Sequence, residues 1–181
     1  MRYAALLRGI APSFPNMSNA HLRGVLEGLG FTAVASVLSS GNILFSTDAT
    51  DVPVLEARIQ RALQDELGIP GGTIVRNHPE LRALVDSDPF PGLEHGRGSY
   101  LTATFLKDGA TGPVGLPEPE PEPWARIVRF DPDARAFLAV VDTAEPNRTP
   151  RFMAWLDRTY GKDVTTRSWL TVQRIVRRME G

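Results

Sequence analysis

The chain has 181 residues, of which 42% are hydrophobic and 23% charged, with a formal net charge of −1 and no cysteine. This length suits one domain or two tightly joined halves, and the apolar content fills a core without metal or disulfide staples. The composition excludes disulfides, thiolate catalysis and thiolate-bound zinc, and the near-zero charge argues against a dedicated nucleic-acid binder.

The first predicted strand runs from Tyr3 to Arg8, where Gly9 ends it and Pro12 and Pro15 make the next loop irregular. Ser18 or Asn19 can cap a helix in which Leu22, Val25, Leu26 and Leu29 recur at helical spacing, and Gly30 stops it. Phe31 to Leu38 reads as a second strand and Asn42 to Ser46 as a third, joined by Ser39-Ser40-Gly41. Asp51 can cap a second helix whose stripe is Leu55, Ile59, Ala62, Leu63 and Leu67, and Gly68, Gly71 and Gly72 break it. Thr73 to Arg76 gives a fourth strand, and Pro79 to Asp86 a short helix.

Residues 1–90 thus form a β-α-β-β-α-β unit plus a helix, the ferredoxin-like order. Right-handed crossovers make strands one and two parallel and return strand three beside strand one. The loop after strand one, the Ser39–Gly41 turn and the Gly68–Gly72 loop then share one end of the sheet.

Residues 91–181 are expected to form a second, degenerate ferredoxin-like half, the whole an α+β fold, with one compact domain and two joined halves both left open. Asp88 to Ser99 is a connector, and Tyr100 to Leu106 a strand. Pro113, Pro117, Pro119, Pro121 and Pro123, alternating in part with Glu118, Glu120 and Glu122, predict an extended segment where a crossover helix could stand. Trp124 to Phe130 and Arg135 to Val141 make a hairpin around Asp131-Pro132-Asp133. Helices are expected over Pro150–Tyr160 and from Ser168 to Met179, giving a β-(crossover)-ββ-α order.

Three polar groupings could carry chemistry. Arg8 and Gly9 fall at the same sheet end as Ser39, Ser40, Gly41 and Asn42, where one cation and several small donors could cradle an oxyanion. Thr165, Thr166 and Arg167, with Ser168 and Trp169, precede or open the last helix, where hydroxyls and free N–H groups read either as a cap or as an anion site. Arg167, Arg174, Arg177 and Arg178 read either as a solvated helix face or as a stripe for nucleic acid. From Glu145 onward there are eight cations against four acids, and eighteen of the chain's twenty cations are Arg. His21, His78 and His95 lie apart from one another and from carboxylates at ligand spacing, so neither a metal nor a cofactor is expected. RNA recognition by base stacking would need more aromatics than Tyr3 and Phe45 on the central strands.

Leu6-Leu7-Arg8-Gly9-Ile10, Leu22-Arg23, Leu29-Gly30-Phe31, Ser40-Gly41-Asn42 with Phe45, Ile74-Val75-Arg76, Asp88-Pro89-Phe90 and Thr165 to Val172 occur in that order. Together they resemble the bacterial domain-of-unknown-function 1697 family. The resemblance implies ferredoxin-like halves and a bacterial, cytoplasmic protein, and it implies no activity or cofactor. The chain departs from the family pattern at Ala11–Met17, in place of a glycine-rich loop, and at Ser168, in place of Asn.

No run approaches the ~20 apolar residues of a membrane span, and Arg8 interrupts the apolar start too early for a signal peptide. The expected function is binding of a small anionic ligand at the end of the first sheet, by a binding protein or an enzyme. The alternative is a nucleic-acid or protein interaction module using the basic C-terminal helix. Monomer and homodimer both stay open.

Overall fold

The computed structural model describes residues 1–110, 119–144 and 147–181. Among the described residues, eight strands form two antiparallel sheets. The first contains β1 (Arg2–Leu7), β2 (Thr32–Ser36), β3 (Asn42–Ser46) and β4 (Thr73–Asn77), in the order β2-β3-β1-β4. The second contains β5 (Tyr100–Leu106), β6 (Ala125–Asp131), β7 (Ala136–Val141) and β8 (Val164–Ser168), in the order β6-β7-β5-β8. The orders coincide when β5 is matched to β1, β6 to β2, β7 to β3 and β8 to β4.

Five α-helices accompany them among the described residues: α1 (Asn19–Gly28), α2 (Val52–Leu67), α3 (His78–Asp86), α4 (Arg151–Tyr160) and α5 (Trp169–Glu180). Their starts follow local chemistry. Side-chain oxygens of Ser18, Asp51, Asn77 and Ser168 accept the otherwise unpaired N–H groups of His21, Val54, Glu80 and Thr171. Gly68, at φ 66°, closes α2 in the left-handed region that a side chain disfavours.

Strand β1 is apolar along its length because both its faces are covered. Tyr3, Ala5 and Leu7 pack with Ile43, Phe45 and Val75 beneath α1 and α2. Ala4 and Leu6 face the second sheet, meeting a core that includes Leu101, Ala103 and Phe105 of β5 and Leu138 and Val140 of β7. Helix α5 is wedged into this shared core through Trp169, Val172, Ile175, Val176 and Met179. The outer face of the second sheet packs Leu106, Phe137 and Val164 against Phe152, Trp155 and Leu156 of α4.

The structure corrects the reading of the second half. Thr165, Thr166 and Arg167 are not the approach to a helix but belong to β8, which pairs along β5 from Thr102↔Ser168 to Leu106↔Val164. The polar run hid the strand, because β8 lies at a sheet edge and its hydroxyls find partners inside the protein. Strand β2 is shorter than expected: a register shift between Thr32 and Ala35, with Ala33 at φ 49°, bends it at the sheet edge. Of the proline-rich stretch, Pro113, Pro117 and Glu118 lie outside the described residues. No helix among the described residues is long and apolar enough to cross a membrane.

Candidate functional site

The end of β1 meets the Ser39–Gly41 turn and the loop before β4. Leu6 pairs with Asn42 and Leu7 with Thr73, while the Leu7 N–H donates to the Gly41 carbonyl at 2.8 Å and the Arg8 N–H to that of Gly72 at 2.8 Å. The chain thus brings Arg8, Gly9 and residues 39–42 to one rim. Their side chains, however, face different partners. The Arg8 guanidinium reaches into the second half, donating to the Val164 carbonyl at 2.9 Å and to Asp157 at 3.3 Å. Gly41 opens no cradle: a Cβ there would lie 2.6 Å from Cγ1 of Ile10, which fills the space. Ser39 and Ser40 are exposed.

Asn42 and Arg167 do come together, and both are buried. Arg167 Nε donates to Asn42 Oδ1 at 2.5 Å, Nη1 to Thr165 Oγ1 at 2.7 Å and the Thr166 carbonyl at 2.9 Å, and Nη2 to the Leu7 carbonyl at 2.8 Å. Asn42 Nδ2 in turn donates to the Val37 carbonyl at 3.0 Å. The hydroxyls of Thr166 and Thr104 share a hydrogen bond, and Trp169 packs edge-on against Phe90. Arg174, Arg177 and Arg178 are exposed, so Arg167 does not share their face.

Arg76 repeats the motif in reverse. From β4 it donates to the carbonyls of Ala134, at 2.8 Å, and Leu106 in the second half. Leu106 ends β5 as Leu7 ends β1. Each half therefore sends an arginine from its fourth strand to the end of the other half's first strand. Burial lowers both guanidinium pKa values to about 10, so both remain charged at neutral pH while surrounded by carbonyl dipoles.

A hollow of about 440 Å³ opens beside this seam, lined by Ala57, Gln60, Arg61 and Gln64 of α2, by Ile69 and Pro70, and by Lys107 and Lys162 of the second half. Gln60 Oε1 accepts from Lys107 Nζ at 3.2 Å and from the Thr73 N–H at 3.4 Å, which leaves its NH₂ as a donor. Among the described residues Arg61 has the loose, exposed Asp65 at 4.0 Å as its ion-pair partner. Among the described residues neither lysine has a carboxylate within ion-pair distance. The nearby Glu56 carboxylate is wholly buried and engaged by the N–H groups of Val75, at 3.0 Å, and Asp108, at 3.3 Å. Burial raises its pKa against the opposing pull of those N–H groups, Arg76 and Lys107.

Sequence reasoning missed this hollow, although a signal for it exists. Lys107 and Lys162 are the chain's only lysines. They stand 55 positions apart, and only the pairing of β5 with β8 brings their loops together, the Lys107 N–H donating to the Asp163 carbonyl at 2.8 Å.

Two sheets of the same strand order, sharing a core and exchanging buried arginines, define an α/β protein of two like halves. The chain belongs to the family of proteins of unknown function DUF1697, whose model matches residues 1–119. It is similar in fold to a conserved bacterial protein from Streptococcus pneumoniae, with a TM-score of 0.74 and 18% identity over 99% of this chain and 98% of that one. No curated protein matches the chain.

Proposed function

We propose that this protein binds a small anionic ligand at the end of the first sheet, in the hollow lined by Arg61, Lys107 and Lys162. The observation that carries this reading is the placement of both lysines of an arginine-dominated chain on one concave surface, with no carboxylate within ion-pair distance of either among the described residues. A lysine ammonium is a compact point charge on a flexible stem, well suited to phosphate or carboxylate oxygens. The strand order of each sheet supports reading the halves as ferredoxin-like, a frame in which the ends of the central strands lie open to a ligand. Arg8 and Asn42, first candidates for the anion, serve instead to join the halves.

Thermal unfolding with sodium pyrophosphate and with citrate tests the proposal. A ligand at 100 times its Kd adds about 2.7 kcal/mol of stability. Wild type should shift, Lys107→Ala/Lys162→Ala should not, and Arg174→Ala on the remote helix face should shift like wild type. No shift in wild type, or the same shift in the double lysine variant, would remove the reading.

A further inference from the structure

The two walls of the hollow differ in origin, and this bears on which anion fits. Resting on the reading above, we propose that the ligand carries two linked anionic groups, as an organic diphosphate does, one held to each wall. The first wall is helix α2, which supplies Arg61 and the amides of Gln60 and Gln64. The second is the chain just after β5 and just before β8, which supplies Lys107 and Lys162. Positive charge therefore enters from both sides of a space of about 440 Å³, within the roughly 300–1,000 Å³ of small-molecule sites. A single phosphate would leave most of that space empty and reach the cations of one wall only.

The remaining lining fits the same class. Ala57, Ile69 and Pro70 give an apolar surface for an organic body. Gln60 is fixed through its Oε1, so its NH₂ is the group left to donate. Both oxygens of Glu56 are already engaged by backbone N–H groups. The hollow thus offers a surplus of donors, which suits a fully ionised oxyanion and disfavours an ammonium or polyhydroxyl ligand. A ligand spanning both walls would also tie α2 of the first half to the strand ends of the second.

Calorimetric titration of the full chain with inorganic pyrophosphate, orthophosphate and adenosine diphosphate separates the possibilities. Pyrophosphate and the nucleoside diphosphate should bind at least roughly tenfold more tightly than orthophosphate, a difference of about 1.4 kcal/mol. Arg61→Gln and Lys162→Gln, each removing a cation from one wall, should bring pyrophosphate down to the affinity of orthophosphate while the fold, checked by circular dichroism, is kept. Equal affinities for pyrophosphate and orthophosphate, both lost in the double lysine variant, would overturn the two-group ligand and leave the anion site standing. Pyrophosphate binding unaffected by Arg61→Gln would likewise overturn the bridging of the walls. If none of the three binds, this inference falls, and the function proposed above falls with it when citrate also gives no thermal shift.

Discussion

The residue after the first strand is a cation in both halves, Arg8 after β1 and Lys107 after β5, and the two have opposite fates. Each passes its N–H to the loop before the fourth strand, to Gly72 and Asp163 respectively. Each points toward the helix that precedes the fourth strand of the other half, Arg8 toward α4 and Lys107 toward α2. Counting back from the glycines that end those helices, Gly68 and Gly161, the same position holds Gln64 in α2 and Asp157 in α4. Asp157 meets Arg8 at 3.3 Å. Gln64 is uncharged and lines the hollow with Lys107, whose ammonium donates to Gln60 Oε1 at 3.2 Å. The side-chain acceptor is thus a carboxylate in one half and an amide in the other.

The comparison can be broken most severely at the arginines common to both halves. Arg167→Ala or Arg76→Ala leaves several buried carbonyls without donors and should cost about 3 kcal/mol or more in urea unfolding, since each buried unpaired group costs about 1–3 kcal/mol. A loss below about 1 kcal/mol would mean that water replaces the guanidinium. Next is Gly71→Ala. A Cβ there would lie 1.9 Å from the Arg8 carbonyl oxygen, which belongs to the backbone and cannot step aside. A loss of about 1–3 kcal/mol is expected, as for other overpacked sites, and an unchanged melting temperature would show that the loop gives way.

A reciprocal exchange sharpens the contrast. Gln64→Asp gives the open half the chemistry of the closed one and should weaken pyrophosphate by roughly tenfold. Asp157→Asn does the reverse, releasing Arg8 at a stability cost under about 1 kcal/mol, because the pair is exposed. A second pyrophosphate equivalent in titrations of Asp157→Asn would confirm the equivalence of the two positions, and an unchanged stoichiometry would deny it.

The smallest effect concerns Glu56. Its folded-state pKa lies above the ordinary value of 4.5. A carboxyl raised in this way contributes stability that is complete below its unfolded pKa and lost as pH rises through the folded one. The stability of wild type relative to Glu56→Gln should therefore fall as pH climbs from below 4.5 through the raised value. A difference that stays flat with pH would assign Glu56 an unperturbed titration.

Much of the fold is written in local chemistry. Strands Asn42–Ser46 and Tyr100–Leu106 are legible to the residue, Asp51 and Ser168 begin the helices they announce, and of Ser18 and Asn19 it is Ser18 that caps α1. Strand β8 was not legible, because Thr165-Thr166-Arg167-Ser168 carries neither alternation nor bulk, and its reason for being extended is β5, some sixty residues away. The rim at the end of β1 was read correctly as a meeting of loops. What each side chain does there depended on the second half: Arg167 fills the space that an oxyanion was expected to occupy, and nothing near residue 42 in sequence reveals it. A guanidinium that binds a ligand and one that binds carbonyls are the same letter. The lysines were conspicuous by rarity alone, and rarity gains meaning only when β8 brings them together.

The exchange of arginines also governs how the polypeptide can be divided. Each half ends its first strand in a carbonyl that accepts from a buried arginine of the opposite half, and α5 supplies apolar bulk to a core lined by both sheets. A nick in the linker between Asp86 and Tyr100 would accordingly yield two fragments that are poorly folded apart and that reassemble when mixed, each completing the other.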